Sequence, residues 1–370
     1  MLEVARATTV DDLETCLEGA KTLQQSVGQC ASQSCQPRTW PALADACTHD
    51  LSGRNNRMNY LAAISAAMLA IVALAGPASA EYPEKPVTFI VPFPPGDSED
   101  VLTRIIAEDF QSKYGVSAAV VNKPGGGGGP FPGAIEVAMA PADGYTIGSF
   151  VIGVPTLGHQ IGIDELTPAK FDPLGIFLTY PFIIATGKDA PYQTMEELSE
   201  YAKSNEVTLA HFGDVLAPTQ VTKAFAKLNG WSYSADSAFD AVDCNTIASG
   251  DADVVNTTIQ LVFPCLDHIT VLATITDDRI SRAPDAPTIG ELEPDLALSL
   301  WNGLFVAKET PADVRETIIA SAMESMLGER AAAHGEATGA IVYWQDEAQS
   351  AARIASDIET LARIEQLLAE

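Results

Sequence analysis

The stretch YPEKPVTFIVPFPPGDSED, residues 82–100, decides how the chain is read, because a strand runs into a Pro/Gly turn and out into a helix. Val87, Phe89 and Val91 alternate with Thr88 and Ile90 in a β-branched and aromatic run that suits a largely buried strand. Pro92, Pro94, Pro95 and Gly96 stop it. Asp97 or Ser98 is placed to cap the first free N–H groups of a helix, and Leu102, Ile105, Ile106 and Phe110 follow at helical spacing. Backbone donors therefore gather at a helix start, where a carboxylate or phosphate is commonly held.

Upstream stands LAAISAAMLAIVALA, residues 61–75, followed by Ala78, Ser79 and Ala80. An apolar core before small residues is the pattern of a secretory leader, and roughly 15 apolar residues fall short of the roughly 20 that span a bilayer. Export with cleavage after Ala80 is expected. A leader ordinarily opens a protein, whereas this one begins near Met58 behind Arg54 and Arg57. Residues 58–80 thus read as the signal peptide and 1–57 as a mis-assigned or non-native extension, with a genuine cytoplasmic extension as the alternative. Cys16, Cys30, Cys35 and Cys47 lie in that extension and are not read as a metal cluster. Cys244 and Cys265 remain, and either a bridge, which an oxidising compartment permits, or two buried thiols fits the sequence.

The chain is strongly acidic, with 21 basic and 49 acidic residues among 370 and a net charge of −28. Residues 1–80 hold five of the basic and seven of the acidic ones, so the remainder carries −26. Nucleic acid and anionic membrane are poor partners for such a surface, which serves to keep a protein in solution.

Strands and helices alternate in the expected order. Strands are expected over 87–91, 118–121, 145–150, 182–186, 208–211, 253–257 and 271–276; helices from Val101 and from about Ala134, and over 195–204 and 219–229. Residues 311–368 read as helices broken around 339–344. This alternation argues for mostly parallel sheets with crossover helices, and the length for two lobes. Gly125 to Gly129 lack a following Gly-Lys-Ser/Thr, and Pro130 breaks the dinucleotide spacing, so a ligand-lining or mobile loop is expected rather than a nucleotide site. His159 and His268 have no partner at metal spacing, and no His-Glu-x-x-His or Gly-x-Ser-x-Gly occurs. No catalytic set, metal or cofactor is expected.

Taken together, these motifs resemble the substrate-binding receptors of tripartite tricarboxylate transporters, the Bug-type receptors, over nearly all of residues 82–330. Tyr82-Pro83, Lys85-Pro86 and residues 92–96 match the family's opening, and Asn122-Lys123-Pro124-Gly125 its Gly-rich loop. Ala140-Pro141 with Asp143-Gly144-Tyr145-Thr146 follows, then Pro284, Pro287-Thr288, Trp301, Gly303-Leu304-Phe305 and Thr310-Pro311. The resemblance implies an α/β, two-lobed periplasmic-binding-protein-like fold (type II). Residues 81–184 with 300–370 would form one lobe and 185–299 the other, with the ligand between them.

It also implies a site. The first ligand loop falls on Phe93, Gly96, Asp97 and Ser98, and a second on Ser149, Phe150 and Val151. The opposing lobe would contribute His211, Phe212, Gly213, Asp214 and Thr219, with Asn256 and Thr257 at a strand end. Facing loops of backbone amides would each hold a carboxylate, so a small organic acid or amino-acid-like ligand would bridge the lobes. Departures matter, because the family's loop usually continues Gly-Gly-Ser/Thr-Thr/Ser-Asp, where this chain has Gly96-Asp97-Ser98-Glu99-Asp100. Asp97 and Glu99 either cap the helix and face water, or with Asp214 recognise an ammonium group, hydroxyls or a cation. His211 is either a ligand contact or a structural histidine, and Trp301 either stacks on ligand or fills the core.

The expected function is that of a non-catalytic periplasmic receptor, a monomer, that captures a small carboxylated solute and delivers it to membrane permease subunits. The alternatives are a binding protein that signals to a membrane kinase and a periplasmic enzyme.

Overall fold

The computed structural model describes residues 82–370 except 94, 125–129, 159–161 and 240. The extension, the leader with its cleavage site, the Gly125 to Gly129 loop and His159 lie outside the described residues.

The opening stretch folds as strand β1 (Val87–Val91), a turn, and helix α1 (Ser98–Tyr114), which starts three residues earlier than the Val101 expected. Leu102, Ile106 and Phe110 are fully buried on one face of α1, as their spacing requires. The helix ends at Gly115, whose φ of 71° lets its N–H reach back to Gln111. Next come β2 (Ala118–Asn122), α2 (Phe131–Ala138), β3 (Thr146–Val151), α3 (Gly153–Leu157) and β4 (Phe171–Tyr180). The middle of the chain forms β5 (Phe182–Gly187), α4 (Met195–Ala202), β6 (Thr208–His211), α5 (Ala217–Leu228), β7 (Ala235–Ala238), α6 (Cys244–Ala248) and β8 (Val254–Thr258). A 3-10 segment (Ile259–His268), β9 (Ile269–Ile275), α7 (Ile289–Leu292) and β10 (Leu300–Ala307) lead to α8 (Ala312–Met326), α9 (Glu329–Thr338), β11 (Ile341–Gln345) and α10 (Glu347–Ala369).

The long strand β4 was not expected, since FDPLGIFLTY carries Pro173 and Gly175. Both are tolerated for identifiable reasons. The register against β10 shifts next to Pro173, and the Trp344 ring lies within 2.4 Å of where a Cβ on residue 175 would stand. Strands β7, β10 and β11 were likewise not expected.

Two sheets result, with strand orders β11-β4-β10-β3-β1-β2 and β7-β6-β8-β5-β9. This is the two-lobed α/β fold, but the expectation of mostly parallel sheets is corrected. Among the described residues four strand pairings are parallel and five antiparallel. The reason is the route of the chain. It enters β5 from β4 through Pro181 alone, and enters β10 from β9 through residues 276–299, so each of these strands runs against the parallel strands of the sheet it joins.

The register fixes where the strand ends lie. In the first sheet β4 runs with β1, β2 and β3, and Tyr180 pairs with Leu300 just beyond the carboxyl end of β3, where Val151 pairs with Asn302. In the second sheet Thr258, at the carboxyl end of β8, pairs with Phe182, the first residue of β5. The carboxyl ends of the parallel strands in both sheets therefore converge on the crossover at Pro181, whose carbonyl accepts the N–H of Ile259.

The cores follow from this layout. One, with Phe89, Leu102, Phe110, Ile147 and Leu304, lies under α1 and α8; another, with Ile183, Val255, Ile259 and Val262, lies under the 3-10 segment. A third runs from Phe150 and Trp301 to Val221 and Leu272, so it belongs to both sheets. Each large side chain buried this way contributes about 1.5–3 kcal/mol. Helix α10 packs against both β4 and α5 and so ties the C-terminus to both lobes. Cys244 and Cys265 form a disulfide with Cα atoms 5.8 Å apart, which pins α6 to the 3-10 segment. Among the described residues no helix is long and apolar enough to cross a membrane.

Candidate functional site

The loop after β1 is held by Asp100. Its carboxylate accepts the Gly96 N–H at 2.9 Å, both ends of the Arg104 guanidinium at 2.9 and 3.0 Å, and the Asn122 amide at 2.7 Å. Asn122 donates in turn to the Phe93 carbonyl at 3.0 Å, closing the loop on β2. Burial pushes the Asp100 carboxyl up, but the bonds from Arg104, Asn122 and Gly96 outweigh it and hold the group below the usual carboxylate range. Gly96 sits at φ 102°, a conformation that a side chain would strain. Asp100 therefore builds the loop and is not available to a ligand.

The two unexpected acids separate. Asp97 is exposed and stands at the N-cap position, yet its side chain makes no capping bond, so the capping expectation fails for it. Burial, then the charge of Asp100, raises its carboxyl. Glu99, unlike Asp97, does not face water: it is 2% exposed, and its Oε2 accepts a hydrogen bond from the Tyr180 hydroxyl. Burial pushes its carboxyl up to about 7, against the opposing Tyr180 bond and with the Asp97 charge adding to the rise. Ser98 is buried beside it.

In the second loop the side chains turn inward. Ser149 Oγ accepts from Thr103 at 2.9 Å and from Asn302 at 2.8 Å, and all three are fully buried. Asn302 Oδ1 is buried without a partner. The Phe150 ring is core, 5.5 Å from Phe305 and from Phe171, so only its backbone is available to a ligand. Val151 is half-buried. Trp301 belongs to the core as well, fully buried with its indole N–H on Asp357.

The other lobe supplies a network that the sequence reading had only in part. His211, 1% exposed, bonds Asp236 through Nε2 at 3.0 Å, while its Nδ1 is buried and unpaired. Lys223 pairs with Asp236 at 3.0 Å and also with Asp214. Burial pushes the Asp236 carboxyl up, but the bonds from His211 and Lys223 prevail and hold it low. His211, Asp214 and Asp236 offer ligand atoms within 4.8 Å of one another, but the Lys223 ammonium already bridges the two acids where a metal would stand. Phe212 packs edge-on against Phe182 at the crossover, and Gly213 accepts the Leu216 N–H ahead of α5. Thr219 and Asn256 are fully buried, with Thr219 Oγ1 and Asn256 Oδ1 unpartnered; Thr258 Oγ1 is unpartnered as well. Asn256 donates to Thr222, and Thr257 spends its hydroxyl on the Val242 carbonyl.

Tyr180, Thr103, Asn302, Lys223, Asp236 and Thr258 were missed. Asn302 and Thr258 directly follow Trp301 and Thr257, which the motifs had singled out; the others carried no local signal. The opening motifs prove to be scaffold: the Tyr82 hydroxyl donates to Gly144, the Tyr145 hydroxyl accepts the Glu84 N–H, and Lys85 pairs with Asp143. Among the described residues, a surface cavity of about 540 Å³ is lined by Trp231 and Tyr233 together with Lys223 and Asp236 of this network, and one of about 1000 Å³ by Asp277 and Arg279, away from the sequence-derived site residues.

A family model described as the tripartite tricarboxylate transporter family receptor matches residues 102–370. The chain belongs to this receptor family. A relative of the receptor from Agrobacterium vitis, a protein from the TAR-I ttuE-ttuC' intergenic region, is 28% identical over 76% of this chain and 84% of its own. Protein BugT of Bordetella pertussis is 27% identical over 68% and 80%. Among solved structures, a solute-binding protein of the same family from Polaromonas superposes with a TM-score of 0.67 at 22% identity, covering 78% of the receptor and 99% of its own chain. Rpa4515 of R. palustris, solved with adipate, gives 0.64 at 22% identity over 77% and 98%. MatC of Rhodopseudomonas palustris, solved with malate, gives 0.61 at 22% identity over 77% and 99%. At this identity the structural likeness establishes the receptor's fold.

Proposed function

We propose that the receptor works in the periplasm, captures a small carboxylated organic solute between its lobes, and delivers it to the membrane subunits of a tripartite transporter. The observation that carries this reading is the convergence of parallel strand ends from both sheets on Pro181, since ligands of open α/β sheets bind outside the carboxyl ends of strands. The amides at the start of α1 present donors from one lobe. From the other, the buried hydroxyl Thr219 Oγ1 near the start of α5 lacks a partner and can donate to a carboxylate, while the acceptor Asn256 Oδ1 at the strand end suits a ligand hydroxyl or ammonium. A dicarboxylate engaging both sets favours the closed arrangement because only closure satisfies both ends. The adipate and malate seen in Rpa4515 and MatC belong to this chemical class.

Thermal unfolding of the purified receptor against dicarboxylates, amino acids and divalent cations tests the reading. A carboxylate at a hundred times its dissociation constant stabilises by about 2.7 kcal/mol. Stabilisation by divalent cations alone, or turnover of a chromogenic ester with no carboxylate shift, would overturn it.

A further inference from the structure

We propose that Glu99 makes solute capture proton-linked: a carboxylate is held at the turn of Gly96, Asp97 and Ser98 with Glu99 protonated, so capture draws a proton from solution wherever Glu99 is ionised. This deepens the reading of the loop as a carboxylate site and rests on it.

The geometry is that of an isolated acid beneath the site. Glu99 lies one residue past the loop, in the first turn of α1, and is 2% exposed. Among the described residues no cation pairs with it. Arg104, one turn further along α1, is engaged by Asp100 and by Asn122 at 2.8 Å. The titratable groups that act on Glu99 are Asp97 and Asp100 from its own segment, both anionic, and Tyr180 from β4. The phenol donates, so it favours the ionised form; burial and the two acids favour the protonated one. These influences leave the group poised near neutrality, with its carboxyl pushed up to about 7.

A carboxylate arriving at the amides that open α1 brings a further negative charge next to the buried Glu99. Two like charges there cannot both be held without cost, and the one that can be neutralised is Glu99. A proton from water adds to the Glu99 carboxylate, no bond within the solute changes, and the solute's charge takes the place of the Glu99 charge beside Asp97 and Asp100. The Tyr180 contact extends the consequence, because Tyr180 ends β4 and leads through Pro181 into the second lobe. The protonation state of Glu99 is thus read at the crossover as well as at the loop.

The experiment takes the tightest-binding dicarboxylate of a panel that includes malate and adipate, and measures its affinity calorimetrically from pH 6 to 8.5. In the unaltered protein the dissociation constant should rise above pH 7 by up to about tenfold per pH unit, and titrations in phosphate and Tris at pH 7.5 should report uptake of up to about one proton per solute. Glu99→Gln should bind with an affinity flat within about twofold over the range and without that uptake. Tyr180→Phe, which removes the donor favouring the ionised form, should move the onset to higher pH. A pH-independent affinity with no proton uptake in the unaltered protein, or the same slope in Glu99→Gln, overturns the proposal and leaves the carboxylate receptor standing. Failure of every carboxylate to bind at any pH overturns both. The proton-uptake measurement needs no variant and decides the question even if Glu99→Gln fails to fold.

Discussion

The indole N–H of Trp301 donates to Asp357 Oδ2 at 2.6 Å, joining β10 to α10 across the core shared by the two lobes. Asp357→Ala leaves that buried donor unpaired and should cost about 1–3 kcal/mol, whereas Asp357→Asn keeps an acceptor and should cost less. Urea unfolding at pH 7 compares them; equal losses would mean that the indole bond contributes nothing. Burial pushes the Asp357 carboxyl up to about 6, against the Trp301 bond and Arg353. Its folded value thus exceeds its unfolded one, and stability falls as pH rises from about 4 to 6. Asp357→Asn should flatten that part of the profile.

Asp100 has the opposite sign. Its carboxyl is held low in the folded state, so its stabilisation is complete above pH 4 and lost as acidification takes it through the depressed value. Asp100→Ala releases Gly96, Arg104 and Asn122 together. Because the Arg104 side chain is 42% exposed, the expected loss is a modest ~1–3 kcal/mol. Solute affinity should fall at least about tenfold as the loop loses its anchor, by the conversion of 1.4 kcal/mol to a factor of ten. A variant that unfolds more easily yet binds normally would show that the loop holds its shape without Asp100.

The disulfide closes a loop with a sequence separation of 21 residues. Replacing both Cys244 and Cys265 with Ser should lower unfolding free energy by about 3 kcal/mol through the entropy of the unfolded chain. Chemical denaturation of the oxidised protein and the double variant measures it, and matching midpoints would assign the bridge no stabilising role.

Glu99 should shape the pH profile of stability without any solute present. Its carboxyl is raised from 4.5 to about 7, so the folded protein binds the proton more tightly than the unfolded chain does. Stability should therefore decline as pH rises across that window, by about 3 kcal/mol in total, and Glu99→Gln should remove the decline. Urea midpoints at pH 5 and 8 provide the comparison; a profile that is unchanged in the variant would mean that Glu99 is solvated in the folded protein.

Much of the fold was legible because the signals were local. VTFIV alternates as a buried strand must, α1 carries its apolar residues at helical spacing, and the Pro/Gly turn between them lies where the chain bends. Strand β4 was not legible, since Pro173 and Gly175 are compatible with a strand only once a shifted register in β10 and the Trp344 ring are in place. The mixed sheets escaped for a similar reason. Strand direction depends on which sheet the chain has just left, and a single proline between β4 and β5 does not announce that change.

By itself the sequence determined the α/β class, the order of most elements, the loop-to-helix junction at residues 93–98 and the family, because each of these rests on spacing along the chain. The tertiary structure decided what the acids do. Asp97, Glu99 and Asp100 stand within four positions of one another, yet one is exposed, one buried against Tyr180 and one surrounded by Arg104, Asn122 and Gly96. A carboxylate's charge state depends on water and partners brought from β2 and β4, and those distances are set only when the sheets assemble.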